Sequence, residues 1–308
     1  METVAKNSTK YLLQTPLDEL IALANKIRQD NLPDVFEKCS IINARSGRCS
    51  EDCKFCAQSA RRKTSIDIYQ LKTVDQIVEA AQDAKAIGAQ KFGIVTSGNR
   101  LSDSELDTVT KAVTKIKQNI DIDICASLGT LTAQQLQTLK NVHLSRYHHN
   151  IESSRNYYAK IVTTHTFDER VNTIKAAKEV GLQVCSGGII GMGESWHDRI
   201  DMAETLRELS VDSVPINILI PVKGTPLENI EPISVDDAIR TICIFRIILK
   251  DKIIKVAAGR ETHLKDEQVK AFLAGANGML IGGYLTIKGN PLQADYELIE
   301  KIKEQWKK

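Results

Sequence analysis

Long apolar runs are missing from this 308-residue chain. No stretch approaches the roughly 18 residues that a membrane-spanning helix needs, so no membrane partner is expected. Residues Met1 to Ser8 are polar and contain no apolar signal segment, so a cytoplasmic location is expected. An excess of one charge is missing too: 41 basic residues stand against 39 acidic ones, spread along the chain. Without a basic stripe or an RNA-type aromatic motif, nucleic acid is not an expected partner. There is no internal repeat, low-complexity segment or long linker. No pair of side chains stands out as a general acid and base. What remains is a chain with 42% apolar residues, enough for one large core.

Cysteine is the residue type that carries information. There are seven, an odd number, which in an intracellular chain argues for metal ligands over a disulfide framework. Three of them form a C-x3-C-x2-C triplet, Cys49, Cys53 and Cys56, within Gly-Arg-Cys-Ser-Glu-Asp-Cys-Lys-Phe-Cys-Ala-Gln-Ser. Three thiolates are one short of a closed iron–sulfur or zinc site. A 4Fe–4S cube held this way keeps one iron open. That iron can bind a small molecule through amino and carboxylate groups and pass an electron to it. The spacing is the signature of radical S-adenosylmethionine (SAM) enzymes. A zinc loop with a distant fourth ligand, or a disulfide cluster, stays open on spacing alone. Phe55, between the last two thiols, could shield a cluster or simply pack the loop.

Short β-rich runs alternate with helical patterns. Strands are expected at Cys39–Ala44, Lys91–Thr96, Asp121–Ser127, His143–Asn150, Gln183–Gly187, Ser213–Ile220, Ile253–Ala258 and Gly278–Ile281. Helices are expected at Leu17–Arg28, Thr73–Ile87, Ser102–Ile120, Thr166–Val180, Trp196–Leu209, Ser234–Leu249, Thr262–Ala274 and Asp295–Trp306. Ser102 and Glu105 match a capping box, and Gly181 reads as a helix stop. This alternation predicts an α/β fold, a single-domain parallel (β/α)8 barrel of TIM type with a helical extension over about residues 1–38. A doubly wound open sheet is the other arrangement it allows.

Barrel chemistry lies at the C-terminal ends of the strands, and the Cys49–Cys56 loop follows the first strand. Alternation on the third strand sets Asp123, Cys125 and Ser127 on one face and Ile122, Ile124 and Ala126 on the other, so Cys125 should point into the barrel. Cys185 on the fifth strand and Cys39 on the first could meet it there, with Arg260 after the seventh. Each cysteine alone could be an ordinary small core residue, the reading kept for Cys243 in an apolar helix. The turn Cys185–Glu194 has glycines at 187, 188, 191 and 193 that allow close backbone approach to a ligand. Thr96–Asn99 is a similar, weaker signal. Asn150 and Glu152 end the fourth strand as ligand contacts, with His148 and His149 packing or hydrogen bonding beside them. Asn217 interrupts an apolar strand and needs partners, which a substrate could supply.

Taken in order, these segments resemble the biotin synthase family of radical SAM enzymes over nearly the whole chain. The matching stretches are residues 46–59, 125–131, 149–154, 163–170, 184–189, 213–219, 223–227 and 258–261. The resemblance implies sulfur insertion into dethiobiotin, started by a 5′-deoxyadenosyl radical. It implies that Cys49, Cys53 and Cys56 hold the 4Fe–4S cluster. Asn150, Glu152, Arg170, Ser97, Gly98 and Gly191 would contact SAM, and Asn150 and Asn217 the dethiobiotin. Cys125, Cys185 and Arg260 would serve an auxiliary iron–sulfur cluster that supplies the sulfur. The familiar family pattern has a further cysteine on the second strand, where this chain has Gly93. Cys39 is the available replacement. The combination is similar to a variant branch with a 4Fe–5S auxiliary cluster, 2Fe–2S being the alternative. An electron donor such as flavodoxin or ferredoxin, and a homodimer, are the further expectations. Competing readings are a sister radical SAM enzyme (methylornithine synthase or a hydrogenase maturase), an iron–sulfur electron carrier, and a zinc-binding structural protein.

Overall fold

The computed structural model describes residues 9–285 and 289–307; the polar opening at residues 1–8 lies outside them. Residues 9–14 are helical. Helix α1 (Leu17–Asn31) follows and precedes the first strand. The strands are β1 (Glu37–Arg45), β2 (Lys91–Thr96), β3 (Asp123–Ser127), β4 (Arg146–His148), β5 (Gln183–Cys185), β6 (Gly188–Ile190), β7 (Ser213–Ile218), β8 (Ile253–Val256) and β9 (Gly278–Leu280). All pair in parallel in the order β5-β4-β3-β2-β1-β9-β8-β7-β6, and β5 also pairs with β7, which closes the ring. β5 and β6 are halves of one stave interrupted at Ser186 and Gly187. The ring therefore has eight staves, a (β/α)8 barrel and not an open sheet.

The helices are α2 (Val74–Ala86), α3 (Asp103–Asn119), α4 (Ala133–Asn141), α5 (Arg155–Ile161), α6 (Phe167–Glu179), α7 (Trp196–Glu208), α8 (Val235–Leu249), α9 (Gln268–Leu273) and α10 (Leu292–Trp306). Five begin on a complete capping box, including the expected Ser102–Glu105 pair. Helices α4 and α5 were not among the expected elements, although Thr132 and Gln135 form one of these boxes. The single helix expected at Thr262–Ala274 is broken into a π-helical turn, Arg260–Leu264, a 3-10 turn, Lys265–Glu267, and α9. Positive φ at Lys265, 44°, marks the break.

Strand alternation divides each stave. Phe92, Ile94, Ile124, Ala126, Val214, Ile216, Ile254 and Val256 point outward and are buried under helix residues such as Ile77, Val109, Val113 and Ile116. Full burial of each such side chain is worth roughly 1.5–3 kcal/mol. The opposite set, including Cys39, Ile41, Gly93, Val95 and Cys125, lines a central cavity. Before β1, Phe36 packs on Phe272 and Trp306, and Arg28 lies over Trp306. Among the described residues no helix is long and apolar enough to cross a membrane.

Candidate functional site

The Cys49–Cys56 loop leaves the C-terminal end of β1 and is tied down from several sides. Cys49 N donates to Gln58 O (3.1 Å), and Ala60 N to Cys49 O (2.7 Å). Lys54 N donates to Ile161 O at the end of α5 (2.9 Å). The Asp52 carboxylate accepts from Thr163 N (2.9 Å) and from the hydroxyls of Thr163 and Thr164. Glu51 meets His165 Nδ1 at 2.7 Å. All seven cysteines are free thiols. Burial pushes the Cys56 thiol up to about 11, against the Gln58 backbone and Arg170, and raises Cys53 further, against Arg170. Such thiols are poor nucleophiles, which argues against thiol exchange. A bound metal would be what deprotonates them.

Below this loop the ends of β4 and β5 present a polar shelf. Asn150 Oδ1 accepts from Gly187 N (3.0 Å) and from His148 Nε2 (2.9 Å), while its Nδ2 donates to Glu152 (3.3 Å). Burial lowers His148 to about 4, so it is neutral and its Nε2 proton serves Asn150. His149 stacks on Tyr147 instead. Arg170 donates to Asn150 O (2.9 Å) and to the Tyr158 hydroxyl (2.7 Å), and lies 3.7 Å from Glu152. Burial raises the Glu152 carboxyl despite that cation. Glu152 also holds φ at 66°, a strained setting for a non-glycine residue. Its carbonyl accepts from Ile189 N (2.9 Å), and a Cβ at Gly188 would strike that same carbonyl.

The cavity, about 390 Å³, runs from Phe55, Cys56 and Gln58 to Cys39, Cys125 and Cys185. Its wall is largely aliphatic, with Ile41, Val95, Ile189, Ile218 and Leu280. Asn217 lines it too. Its Nδ2 donates to Gly188 O (3.1 Å) and its Oδ1 accepts from Ala258 N (3.2 Å), which leaves one donor and one lone pair for a ligand.

The three strand thiols share this cavity with a buried cation, Lys255. Lys255 Nζ is 3.1 Å from Cys39 Sγ and 2.6 Å from Glu37 Oε1. Arg146 makes a two-pronged contact with Glu37, at 2.7 and 3.2 Å. Burial works against charge on Glu37, yet Lys255 and Arg146 hold it down to about 2. Burial also works against Lys255, and the neighbouring thiols and Glu37 outweigh it, so this lysine stays charged. Gly93 pairs in register with Ile41 and Cys125, so the second strand brings no thiol to this layer.

Other expected contacts sit elsewhere. Arg260 starts the π-helical turn beyond β8, completely buried, and does not line the cavity. It donates to Asp295 (2.8 Å), Glu261 (2.8 Å) and Gln268 (2.5 Å), which ties it to α9 and α10. The reason is that β8 ends at Val256 and Gly259, with φ 85°, turns the chain away. The cation brought to the thiols is Lys255, a charged residue flanked by apolar ones in Ile-Ile-Lys-Val. That interruption is the same kind of signal that singled out Asn217. Ser97 donates to Gly47 O (2.7 Å), and with Gly98 it borders a separate polar depression next to Arg45. Gly191 N donates to Glu194 (2.9 Å), which Arg199 holds in turn (2.7 Å). These three support the loops and do not line the central cavity.

Among the described residues, no three Cys, His, Asp or Glu side chains close on one point as they would around a single ion. The donor set still fits iron–sulfur clusters: Cys56 of the loop triplet and the strand thiols Cys39, Cys125 and Cys185 line one cavity, with Lys255 against Cys39 and Arg170 acting on Cys53. A family model, the radical SAM superfamily, matches residues 44–206, and the Biotin and Thiamin Synthesis associated domain matches residues 215–303. The second begins at β7 and supplies the staves that close the barrel. The chain is 49% identical to a biotin synthase of Thermotoga petrophila, over 96% of its own length and 98% of that protein. It is 44% identical to a biotin synthase of Clostridium botulinum, over 98% and 94% respectively. Among solved structures, methylornithine synthase has a TM-score of 0.81 at 21% identity, covering 98% of this chain and 91% of that one. A FeFe-hydrogenase maturase from Carboxydothermus hydrogenoformans gives 0.79 at 17%, covering 97% and 78%. At those identities the structural likeness concerns the barrel alone.

Proposed function

The chain belongs to the biotin synthase family of radical SAM enzymes, and from that premise we propose how its two thiol groups divide the conversion of dethiobiotin to biotin. The carrying observation is that Cys56 of the loop triplet and the strand thiols Cys39, Cys125 and Cys185 line one cavity, with an aliphatic wall between them. When bound, the 4Fe–4S cluster with SAM supplies a radical able to take hydrogen from an unactivated carbon, and the auxiliary cluster supplies the sulfur. The protein's part is to hold, orient and keep water out.

Cys49, Cys53 and Cys56 hold the 4Fe–4S cluster and leave one coordination place for SAM. Asn150, Glu152 and Arg170 form the shelf beside it, a fixed set of donors and acceptors suited to an amino acid end. The aliphatic wall takes the hydrocarbon of dethiobiotin, and the free donor and lone pair of Asn217 suit its ureido group. Cys39, Cys125 and Cys185 hold the auxiliary cluster, with Lys255 and Arg146 offsetting its negative charge. Lys255 takes the part first given to Arg260. With Gly93 in place of a thiol, the larger 4Fe–5S type suits this set better than 2Fe–2S. An external one-electron donor, flavodoxin or ferredoxin, completes the system, and a homodimer is the assembly we expect.

The test is anaerobic reconstitution with iron and sulfide, followed by Mössbauer spectroscopy and assay of biotin and 5′-deoxyadenosine. Two spectroscopically distinct clusters and both products are expected. A single cluster with SAM cleavage but no biotin would remove the sulfur-insertion reading. Cys39→Ser then decides the third ligand: a full auxiliary cluster and normal biotin formation in that variant would exclude Cys39.

A further inference from the structure

The base of the barrel is charged, although a barrel of this kind ordinarily closes on layers of branched apolar side chains. Glu37, Lys91, Asp123 and Ser213 are the first residues of β1, β2, β3 and β7. Alternation turns Lys91 to the same side as Gly93 and Val95, and it lines the central cavity with them. Lys91 Nζ is 2.8 Å from Asp123 Oδ2 and 3.8 Å from Glu37 Oε2. Asp123 also accepts from the Ser145 hydroxyl (3.2 Å), and its side chain is half exposed. A single ion pair thus links a cavity-lining side chain to the basal solvent. Behind it Arg146 and Lys255 share Glu37, so within ion-pair distance three cations meet two carboxylates. Ser213 is fully buried, on the same face of β7 as the cavity-lining Pro215 and in register with Cys185. Among the described residues its hydroxyl has no hydrogen-bond partner.

We propose that this basal ring is an entrance for hydrosulfide, which replaces the sulfur that each turnover removes. The inference rests on the reading that Cys39, Cys125 and Cys185 hold a sulfur-donating cluster. In that reading SAM and dethiobiotin fill the cavity from the C-terminal ends of the strands, so sulfur arriving from below meets neither. The ring suits a small anion. Its surplus positive charge attracts one. Lys91 can exchange Asp123 for it at little cost, because water takes up the half-exposed carboxylate. The Ser213 hydroxyl then offers a free donor beside Cys185. An opening made by one side chain passes a single small ion and excludes a polypeptide. Sulfur enters at the oxidation level it keeps as sulfide. The S–H bond breaks, the proton goes to the basal water, iron–sulfide bonds form, and no electron is transferred.

The probe is sodium sulfide enriched in a heavy sulfur isotope, given anaerobically to the full chain with both clusters after one turnover. Label in the protein-bound, acid-labile sulfide is followed by mass spectrometry, and the return of the auxiliary absorption is followed alongside. Both are normalised to the starting cluster content of each protein. Lys91→Met should slow uptake about tenfold through loss of the attracting charge, and Lys91→Arg should keep the wild-type rate. Asp123→Asn frees the lysine and should speed uptake about threefold. Opposite shifts from the two halves of one pair distinguish a gate from a strut, which either change would weaken alike. Wild-type uptake should be the same with SAM and dethiobiotin bound in the absence of reductant. The proposal is overturned by an unchanged rate in Lys91→Met or by shifts in one direction in Lys91→Met and Asp123→Asn. It is equally overturned if bound SAM and dethiobiotin block uptake, which would place the entrance at the opposite end. If the reconstituted wild type shows no auxiliary absorption, the cluster reading fails instead. Crystals of the full chain soaked in bromide then decide the entrance: anomalous density beside Lys91, absent in Lys91→Met, supports it, and no bromide there overturns it.

Discussion

Two groups of three cysteines reach one cavity, the first through Cys56 and the second through Cys39, Cys125 and Cys185, and are built in opposite ways. Cys49, Cys53 and Cys56 lie on a loop whose shape depends on ties to α5 and the segment after it, through Asp52, Glu51 and the backbone of Lys54. Cys39, Cys125 and Cys185 lie on strands, where the ladder fixes their direction, and an ionic cluster of Glu37, Lys255 and Arg146 backs them. A loop lets one metal position stay open to an incoming molecule. A strand floor with fixed cations suits a group that must be held deep and charge-balanced. Identical side chains thus acquire different tasks from the elements that carry them.

The largest effects should come from breaking each group in turn. Cys53→Ala should abolish 5′-deoxyadenosine formation under dithionite, by at least about a hundredfold, while the lower chromophore persists. Cys125→Ala should do the reverse: SAM is still cleaved and biotin is not made. Paired iron analysis and product assays check both. Loss of both products in both variants would mean that the groups are not separate sites.

Next in size is a contrast of two buried cations. Lys255→Met should remove or alter the auxiliary chromophore and stop biotin formation while SAM cleavage continues. Arg260→Met should leave the cluster in place and cost stability, about 3–5 kcal/mol, because Asp295 loses its buried partner. Denaturant unfolding and visible spectra distinguish the outcomes. A normal auxiliary spectrum in Lys255→Met with a lost one in Arg260→Met would restore the first assignment.

A smaller effect is expected at the wall between the groups. Asn217→Ala removes one donor and one acceptor toward the cavity, worth roughly 1–3 kcal/mol, or about 5- to 150-fold in dethiobiotin affinity. Both clusters should remain, since the residue touches neither thiol group in its hydrogen bonding. Binding measured on the reconstituted protein is the check, and unchanged affinity would assign Asn217 to strand bridging alone.

The two groups were also unequally legible. The loop triplet is covalently local, so its spacing put a radical SAM loop first, and the resemblance along the rest of the chain set aside zinc and disulfide. Cys125 followed from alternation, because Ile124 and Ala126 had to face the helices. Gly93 was readable as a missing thiol only through the family resemblance. Lys255 carried a signal that was passed over in favour of Arg260, whose position depended on where β8 stops and on the turn at Gly259. Glu37 and Arg146 form their pair across 109 residues, and no local pattern joins them. The interruption between β5 and β6 was hidden for the same reason: a Cβ at Gly187 would strike the carbonyl of Pro215 on a neighbouring stave. Helix α4 was within reach through Thr132 and Gln135. Periodicity and covalent spacing travel through sequence, whereas contacts closed by the barrel do not.

The smallest expected effect concerns pH and separates the anchors of the two groups. The upper loop begins at Arg45, whose guanidinium donates to Ser97 O (3.0 Å) and pairs with Glu105 on α3 (2.5 Å). Ser97 in turn donates to Gly47 O. Burial works against charge on Glu105, but the Ser102 amide and Arg45 together hold its carboxyl below the ordinary value. A carboxyl lowered in the folded state releases its proton more readily there than in the unfolded chain. Its contribution is therefore complete above the ordinary glutamate value of about 4.3 and is lost as pH falls through the lowered folded value. Glu105 is partly exposed, so the amount is modest, under about 1 kcal/mol. Glu37 at the floor, held near 2, keeps its charge over most of that window. Thermal unfolding of the wild type and Glu105→Gln between pH 7 and pH 3 should show the variant less stable at neutral pH, with the difference shrinking on acidification. A difference that stays constant down to pH 3 would mean that the Arg45–Glu105 latch adds nothing through its charge.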